Sequence, residues 1–546
     1  MVKTSLITLL IIIISATDQF IYAQNAYAVF YKYKPQEHFS LDNPAEFLGE
    51  KALLRRAKEG VVPDSTDLPV SDSYVATLKP MVQKIKYHSK WLNASVVRAE
   101  ESDLAAILDL PFVDKIDYLA PGPHENGRLG NKSGIKATIE KKNANKKTED
   151  FEFQNSLIGI PQMFAEGLTG AGVTVAVFDG GFFNVNILPA FQHLFDNNQI
   201  IATKDLVFEE SETVFHSSGH GTNVLSLIAA YQEEAIIGGA YNANYVLCLT
   251  EDVRSEYRIE EYNWVRAAEF ADSLGTDIIN SSLGYYDFDD SSMDYSIIDF
   301  DGKTAIISQG AALAAKKGIL VVTSVGNYGT RGSSSLTAPS DAEGILSVGS
   351  VGSSLERSSF SSMGPTIDGR TKPELVAFGQ GVSLLRPNGT VGTTNGTSFS
   401  APQVTALAAG IWEGRPEWTK DQLLDALLNS ASQAENPDSA VGYGIPDFYK
   451  AYFGEILNLE PESEPVIFSL YPNPLEGQTL YFKYGNTKGC EFTLFDVQGK
   501  VIAYEQLKRT DHTSPYEIEL GGLKTGLYIV ELKGEQVPKR VKLLKK

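Results

Sequence analysis

The chain has 546 residues, more than one ordinary domain holds, so two to four domains are expected. With 43% hydrophobic and 21% charged residues it has the composition of a globular protein, not a disordered one. A formal net charge of -21 argues against nucleic acid or anionic membranes as partners, and two cysteines, Cys248 and Cys490, in separate predicted domains rule out a disulfide framework.

The elements follow in chain order. Lys3, the apolar run Leu6 to Ile14 and the small-residue site Ile21-Tyr22-Ala23 form an export signal over 1–23. The apolar run is too short to span a bilayer as a helix. Residues 24–120 form a separate small α+β segment. In it Ala94 to Ala99 reads as a strand, Glu101 to Leu108 as a short helix and Val113 to Tyr118 as another strand. Residues 121–150, with Lys141-Lys142-Asn143-Ala144-Asn145-Lys146-Lys147, are too polar to bury a core and read as a protease-sensitive linker.

Residues 151–454 carry alternating strands and helices. Val173 to Phe178 is a β-branched, apolar run that ends on Asp179-Gly180-Gly181. In an open parallel sheet, functional groups gather at such carboxyl ends. His220, between Gly219 and Gly221, opens an apolar helix that runs to Ala230. Tyr245–Leu249, Asp277–Ser281 and Ile319–Ser324 read as further strands, and Tyr262–Leu274 and Gly310–Lys317 as helices. The order predicts an α/β fold, a mostly parallel sheet with helices on both faces. The strand at 277–281 leads into Ser282-Leu283-Gly284, and the one at 319–324 into Gly326-Asn327-Tyr328-Gly329. Finally, Asn395-Gly396-Thr397-Ser398-Phe399-Ser400 is a tight turn that feeds a small-residue helix and presents a hydroxyl at its start. Unpaired N–H groups and partial positive charge there suit a developing anion.

Taken singly, Asp179 is a strand-end turn residue, His220 a loop histidine and Ser398 a helix cap. Together they are a carboxylate, an imidazole able to accept a hydroxyl proton, and a hydroxyl. Gly170-Ala171-Gly172 precedes its strand and so opens no phosphate-binding helix. His216 stands four residues before His220, but the flanking glycines disfavour a regular helix through both and no third metal ligand is evident. The acidic tract Asp287-Phe288-Asp289-Asp290, with Asp294, Asp299 and Asp301, lacks EF-hand spacing and reads as a solvated insertion loop. Cys248 reads as a small buried hydrophobe.

Residues 455–465 are an acidic, proline-containing linker, and 466–546 alternate as short strands: Thr479–Tyr484, Glu491–Asp496 and Leu527–Leu532, with turns at Gly485-Asn486 and Gln498-Gly499. This predicts an all-β sandwich.

The order Asp179, His220, Ser398 is that of the subtilisin triad. On these motifs the stretch from about 155 to 450 resembles the subtilisin-like serine peptidases, the subtilases. The resemblance implies a catalytic triad of those three residues. It implies that Asn327 donates to the oxyanion, and that Ser282, Leu283 and Gly284 pair with the substrate backbone beside the P1 pocket. Residues 24–120 then resemble a subtilase propeptide, a folding aid and inhibitor. The motifs Leu470-Tyr471-Pro472-Asn473-Pro474, Asp496-Val497-Gln498-Gly499-Lys500 and Leu523-Lys524-Thr525-Gly526-Leu527-Tyr528, followed by the basic end Lys539 to Lys546, resemble the C-terminal sorting domain of type IX secretion cargo in Bacteroidetes. Two departures stand out. The family motif Asp-Ser/Thr-Gly is Asp179-Gly180-Gly181 here, without the orienting hydroxyl, and Asn223 replaces the second histidine of His-Gly-Thr-His.

The expectation is a proenzyme-form serine endopeptidase. It would be exported through the periplasm to the outer surface or beyond, act on protein or peptide substrates, and engage the type IX machinery without staying in a membrane. No cofactor is needed for that chemistry; the resemblance leaves structural calcium open, and with it any metal site. A catalytically silent binding scaffold and an esterase using the same triad are the alternatives.

Overall fold

The computed structural model describes residues 24–122, 149–208, 210–454, 468–484, 489–496, 499–509, 514–534 and 539–546. The export signal, the lysine-rich linker, the acidic linker and the Gly485-Asn486 turn lie outside them, as does Gln498. The described residues up to 454 form one compact unit and those from 468 a second.

The first unit begins with a four-stranded sheet in the order β2-β3-β1-β4. Its elements are β1 (Asn25–Tyr31), α1 (Glu50–Glu59), α2 (Asp72–Leu78), β2 (Lys84–Ser89), β3 (Ala94–Ala99), α3 (Leu104–Leu108) and β4 (Val113–Ala120). The sheet is antiparallel throughout, so its strands alternate between two faces. Tyr27, Val29 and Val97 pack under Leu78 and Ile107, while Ala26, Ala28 and Val96 pack against Tyr262 of the following domain.

The central domain opens with α4 (Glu149–Leu157) and α5 (Ile160–Ala165), then β5 (Thr174–Asp179), α6 (Gln192–Asp196), β6 (Ile200–Asp205) and α7 (His220–Ala229). A small hairpin, β7 (Tyr231–Gln232) and β8 (Ile236–Ile237), precedes β9 (Asn244–Leu249), α8 (Ile259–Leu274), β10 (Ile278–Ser281), α9 (Ile306–Lys316) and β11 (Leu320–Ser324). The domain closes with β12 (Leu346–Val351), β13 (Leu375–Phe378), the ribbon β14 (Gln380–Leu385) and β15 (Val391–Asn395), and helices α10 (Ala401–Gly414), α11 (Lys420–Ser430) and α12 (Phe448–Phe453). Seven strands pair in the order β13-β12-β11-β10-β5-β9-β6, all parallel. Every residue of β5 is buried, as a strand covered on both faces requires. Val175 and Val177 point into a core with Val224 of α7 and Val404 and Leu407 of α10. Ala176 and Phe178 point the other way, to Trp264 and Ala268 of α8 and Ala311 of α9. Cys248 lies in that second core as a free thiol whose pKa burial drives up. Among the described residues no helix is long and apolar enough to cross a membrane.

The second unit holds β16 (Phe468–Tyr471), β17 (Thr479–Tyr484), β18 (Gly489–Asp496), β19 (Val501–Lys508), β20 (Tyr516–Glu519), β21 (Gly526–Lys533) and β22 (Lys539–Lys545). Sheets β16-β17-β20 and β19-β18-β21-β22 share a core of Leu480, Phe482, Phe492, Leu494, Val530 and Leu543. The basic end is itself the edge strand β22, paired with β21 from Gly526↔Lys545 to Leu532↔Lys539.

Helix α1 reaches the opposite edge of the central sheet from the one where β5 delivers Asp179. Lys51 bonds Thr174, the first residue of β5, and Asp277, the residue before β10 (2.6 and 2.8 Å). Arg55 pairs with Asp272 and donates to the Thr276 carbonyl (2.6 Å). Arg56 pairs with Asp272 (2.7 Å) and with Asp67 (2.8 Å), which also holds Lys317 (2.8 Å). Arg55, Arg56, Asp67, Asp272 and Lys317 are buried, and removing one partner of such a network strands an uncompensated charge, at a cost of about 3–5 kcal/mol. Asp272→Ala, made in a Ser398→Ala background, is therefore expected to lower the unfolding free energy of the first unit by an amount in that range, seen as an earlier denaturation midpoint. Tryptophan fluorescence is the readout, since all four tryptophans, Trp91, Trp264, Trp412 and Trp418, lie in that unit.

Candidate active site

Because β5, β10 and β11 are parallel neighbours, their carboxyl ends lie side by side. Ser281 is level with Phe178 on one side and Thr323 on the other. Asp179, Ser282 and Asn327 thus emerge at one edge of the sheet. Asp179 is 1% exposed. Its two carboxylate oxygens stand 3.0 and 2.8 Å from Nδ1 of His220, the first residue of α7. The Gly180 N–H donates to Oδ1 at 2.8 Å. The hydroxyl missing from the Asp-Gly-Gly motif is thus replaced as an orienting donor by the backbone. A Cβ at Gly180 would sit 2.7 Å from Val253 Cγ1, so a side chain there requires Val253 to shift.

His220 faces the opposite pressures of burial and charge. Burial favours the neutral ring, but the Asp179 carboxylate, by charge and by hydrogen bond, outweighs it with a smaller contribution from Glu251. The result is a raised pKa. The ring packs against Phe399 with centroids 5.5 Å apart and remains 35% exposed. Nδ1 is committed to Asp179, so an acceptor lone pair resides on Nε2 and a proton can be received there.

Ser398 lies on the 3-10 turn Thr397–Phe399 that leads into α10. Its hydroxyl donates to the Ser282 carbonyl (3.2 Å), while the Ser282 hydroxyl donates to the Ser398 carbonyl (2.8 Å). The structure thus brings Ser398 to Ser282, and no hydrogen bond joins it to His220 among the described residues. Asn327 is oriented by the same turn: its Oδ1 accepts from the Thr397 N–H (3.0 Å) and hydroxyl (3.1 Å). That fixes the amide so that Nδ2, unbonded among the described residues, is a free donor. The Ser398 N–H, near the start of its turn, has no carbonyl one turn back to bond. A hydroxyl with two open donors beside it is an arrangement suited to a tetrahedral oxyanion.

Leu283 and Gly284 continue from Ser282. The Leu283 carbonyl accepts from Ser324 (3.3 Å), and Gly284 abuts Thr337. Asn223, with its amide nitrogen turned toward the Gly219 and Leu385 carbonyls (3.3 and 3.0 Å), ties α7 to β14, a structural task for the position where the family motif has histidine. His216 Nε2 is engaged by Asp205 (3.0 Å), Ser211 and Thr213, away from His220's partners. The acidic tract spends its carboxylates locally: Asp290 and Asp299 cap short helices, Asp294 accepts from the Phe288 N–H and Asp287 pairs with Arg331. Among the described residues no three His, Cys, Asp or Glu side chains are grouped to hold a metal ion.

A family model for the subtilase family matches residues 170–444. The chain belongs to the subtilase family. Its residues 26–133 match the propeptide domain of Peptidase S8 from Bacteroidota, and 469–546 match a secretion system C-terminal sorting domain. Together these mark an exported subtilase, secreted or held at the cell surface. Subtilisin NAT of Bacillus subtilis subsp. natto is 30% identical over 285 residues, 52% of this chain and 66% of that protein. Subtilisin of Bacillus pumilus is 30% identical over 281 residues, 51% of this chain and 90% of that protein. This subtilase thus spans just under two thirds of the natto protein.

Sequence reasoning missed Glu251. It is buried at the end of β9, accepts from Thr250 (2.8 Å) and Tyr285, and is pushed up to about 7 by burial. Nothing in Thr250-Glu251-Asp252 separates it from a loop glutamate. Thr397, which aims Asn327, sat within the serine motif without an evident task. The electrostatics make a prediction. His220 should titrate above the ordinary imidazole value of 6.5 in Ser398→Ala protein, followed by its ring NMR signals. Adding Asp179→Asn removes the raising charge and leaves burial, so its pKa should fall below that value. An unmoved pKa would show that Asp179 is not the controlling partner.

Proposed function

We propose that this subtilase is a serine endopeptidase that hydrolyses peptide bonds through an acyl-enzyme. The observation that carries the reading is the buried Asp179 carboxylate on Nδ1 of His220, with Ser398 placed next to two unoccupied donors. With substrate bound, the Ser398 hydroxyl turns from the Ser282 carbonyl toward Nε2 of His220. It loses its proton there and attacks the scissile carbonyl. Asp179 keeps the ring in the required tautomer and stabilises the imidazolium. The oxyanion is held by Asn327 Nδ2 and the Ser398 N–H. Collapse expels the amine, which takes the proton from His220. Water, deprotonated by the same ring, releases the acyl group and restores Ser398.

No step needs a metal or cofactor. Ser282, Leu283 and Gly284 line the substrate strand, and proteins or peptides are the substrates. The domain bounds at 120, 150, 454 and 465 separate an inhibitory propeptide, the peptidase and the sorting module, which the type IX machinery reads. A silent scaffold drew its support from the missing hydroxyl of Asp-Gly-Gly, and the Gly180 N–H supplies that donor.

Fluorophosphonate labelling of the secreted protein tests the reading, with Ser398→Ala alongside and intact mass as readout. Labelling that requires Ser398, with casein cleavage lost in the variant, is expected; cleavage at the parent rate by Ser398→Ala would refute it. Asn327→Ala should lower kcat by about 10²–10³ with little change in KM, the loss seen when subtilisin is deprived of its asparagine donor. Full kcat in that variant would remove Asn327 from the oxyanion site.

A further inference from the structure

The structure also bears on which residue is accepted before the scissile bond. A carbonyl attacked by Ser398 and held by Asn327 belongs to a residue lying between the two segments that flank them, Ser282-Leu283-Gly284 and Val325-Gly326-Asn327. Its side chain must enter the gap between these segments. Each segment carries a glycine, and Thr337 packs against both of these glycines. A Cβ built on Gly284 overlaps the Thr337 hydroxyl and stands 3.0 Å from the Thr337 Cβ. A Cβ built on Gly326 stands 2.8 Å from both Thr337 Cγ2 and Oγ1, with Ser362 Oγ at 2.9 Å. Thr337 is 1% exposed, so it is packed against the two segments and out of contact with solvent.

Thr337 is also fixed. Its N–H donates to the Val325 carbonyl (3.3 Å), and the Ser340 N–H donates to its own carbonyl (2.9 Å). The next residue, Ala338, exchanges backbone hydrogen bonds with Tyr285 (2.9 and 3.1 Å), which anchors this stretch beside Gly284. The Thr337 hydroxyl faces the Val325 carbonyl (3.4 Å), so the floor is neutral and its one donor already has an acceptor. A floor this shallow, neutral and rigid has no space for an aromatic ring or a long aliphatic chain, and no group to pair with a charged one.

We infer that Thr337 closes the floor of the pocket for the residue preceding the scissile bond, and restricts it to short uncharged side chains such as alanine, glycine and serine. This rests on the peptidase reading of the site. Hydrophobic pockets discriminate weakly against a missing methylene, by about 10–200-fold, but a blocked floor adds steric exclusion to that.

The test uses the secreted full chain, with active sites counted by fluorophosphonate and peptides that differ only at that residue. The parent should cleave after alanine with kcat/KM at least about 100-fold above that after phenylalanine, leucine or lysine. Thr337→Gly should raise the phenylalanine-to-alanine ratio at least about 10-fold, and Thr337→Ala by less. Parent protein that labels yet cleaves after phenylalanine or leucine as fast as after alanine would overturn the inference and leave the peptidase reading standing. An unchanged ratio in both variants would do the same. Processed protein with no labelling and no cleavage would overturn the peptidase reading itself.

Discussion

The parallel pairing of β5 between β10 and β9 is the constraint on which the rest of the molecule hangs. Parallel neighbours in register end together, so Asp179, Ser282 and Asn327 reach one edge of the sheet although roughly 150 residues of chain separate the first from the last. The helices then complete what the strands begin. Helix α7 starts on His220 and α10 starts just after Ser398, so the imidazole and the hydroxyl are set at helix starts packed over the same edge. Val224 of α7 and Val404 of α10 share one core with Val175 and Val177, which couples the position of the two helices to the strand that holds the carboxylate.

Burial at this edge is used for electrostatics as much as for packing. Asp179 is withdrawn from water yet keeps two donors on it, the Gly180 N–H and His220 Nδ1, so its charge is directed at the ring instead of dispersed in solvent. Glycine is demanded at Gly221 by the same crowding, since its Cβ would stand 2.9 Å from that of Asp179. Glu251, Glu256 and Glu260 lie further along the same loop and helix start. Burial raises all three, helped by the Asp179 charge at Glu251 and by neighbouring glutamates at Glu256 and Glu260, so they add negative potential near the imidazole only to the extent that they ionise.

The opposite edge of the sheet has a different role. Helix α1 closes it with Lys51, Arg55 and Arg56, against Asp272, Asp277 and the Thr276 carbonyl. The N-terminal sheet meanwhile lies on α8, where the Tyr262 hydroxyl bonds Asp117 (3.1 Å) and Tyr87 bonds Asn263 (2.8 Å). The propeptide region thus grips the central domain through an apolar sheet face and, separately, through a buried ionic cluster beneath the strands. Such a cluster favours one register of docking, because any other leaves charges without partners.

Periodicity and motif order in the sequence determined the α/β class, the strand at Val173–Phe178, the helices opened by His220 and by the Ser398 turn, and the alternating strands of the C-terminal sandwich. These are local properties: β-branched runs, glycine-flanked starts and period-two alternation need no distant partner to be read. Helix α1 and its ion pairs were not legible, because the charges of Glu50–Glu59 have no evident partner until Asp272, more than 200 residues away, is brought against them. The same holds for the backbone donor at Gly180, for Thr397 as the anchor of the Asn327 amide, and for Thr337 beneath two glycines. Sequence carries identity and spacing along the chain. Which donor faces which acceptor, and which side chain fills the space a glycine leaves, is decided only when non-local strands and helices are packed at van der Waals distance.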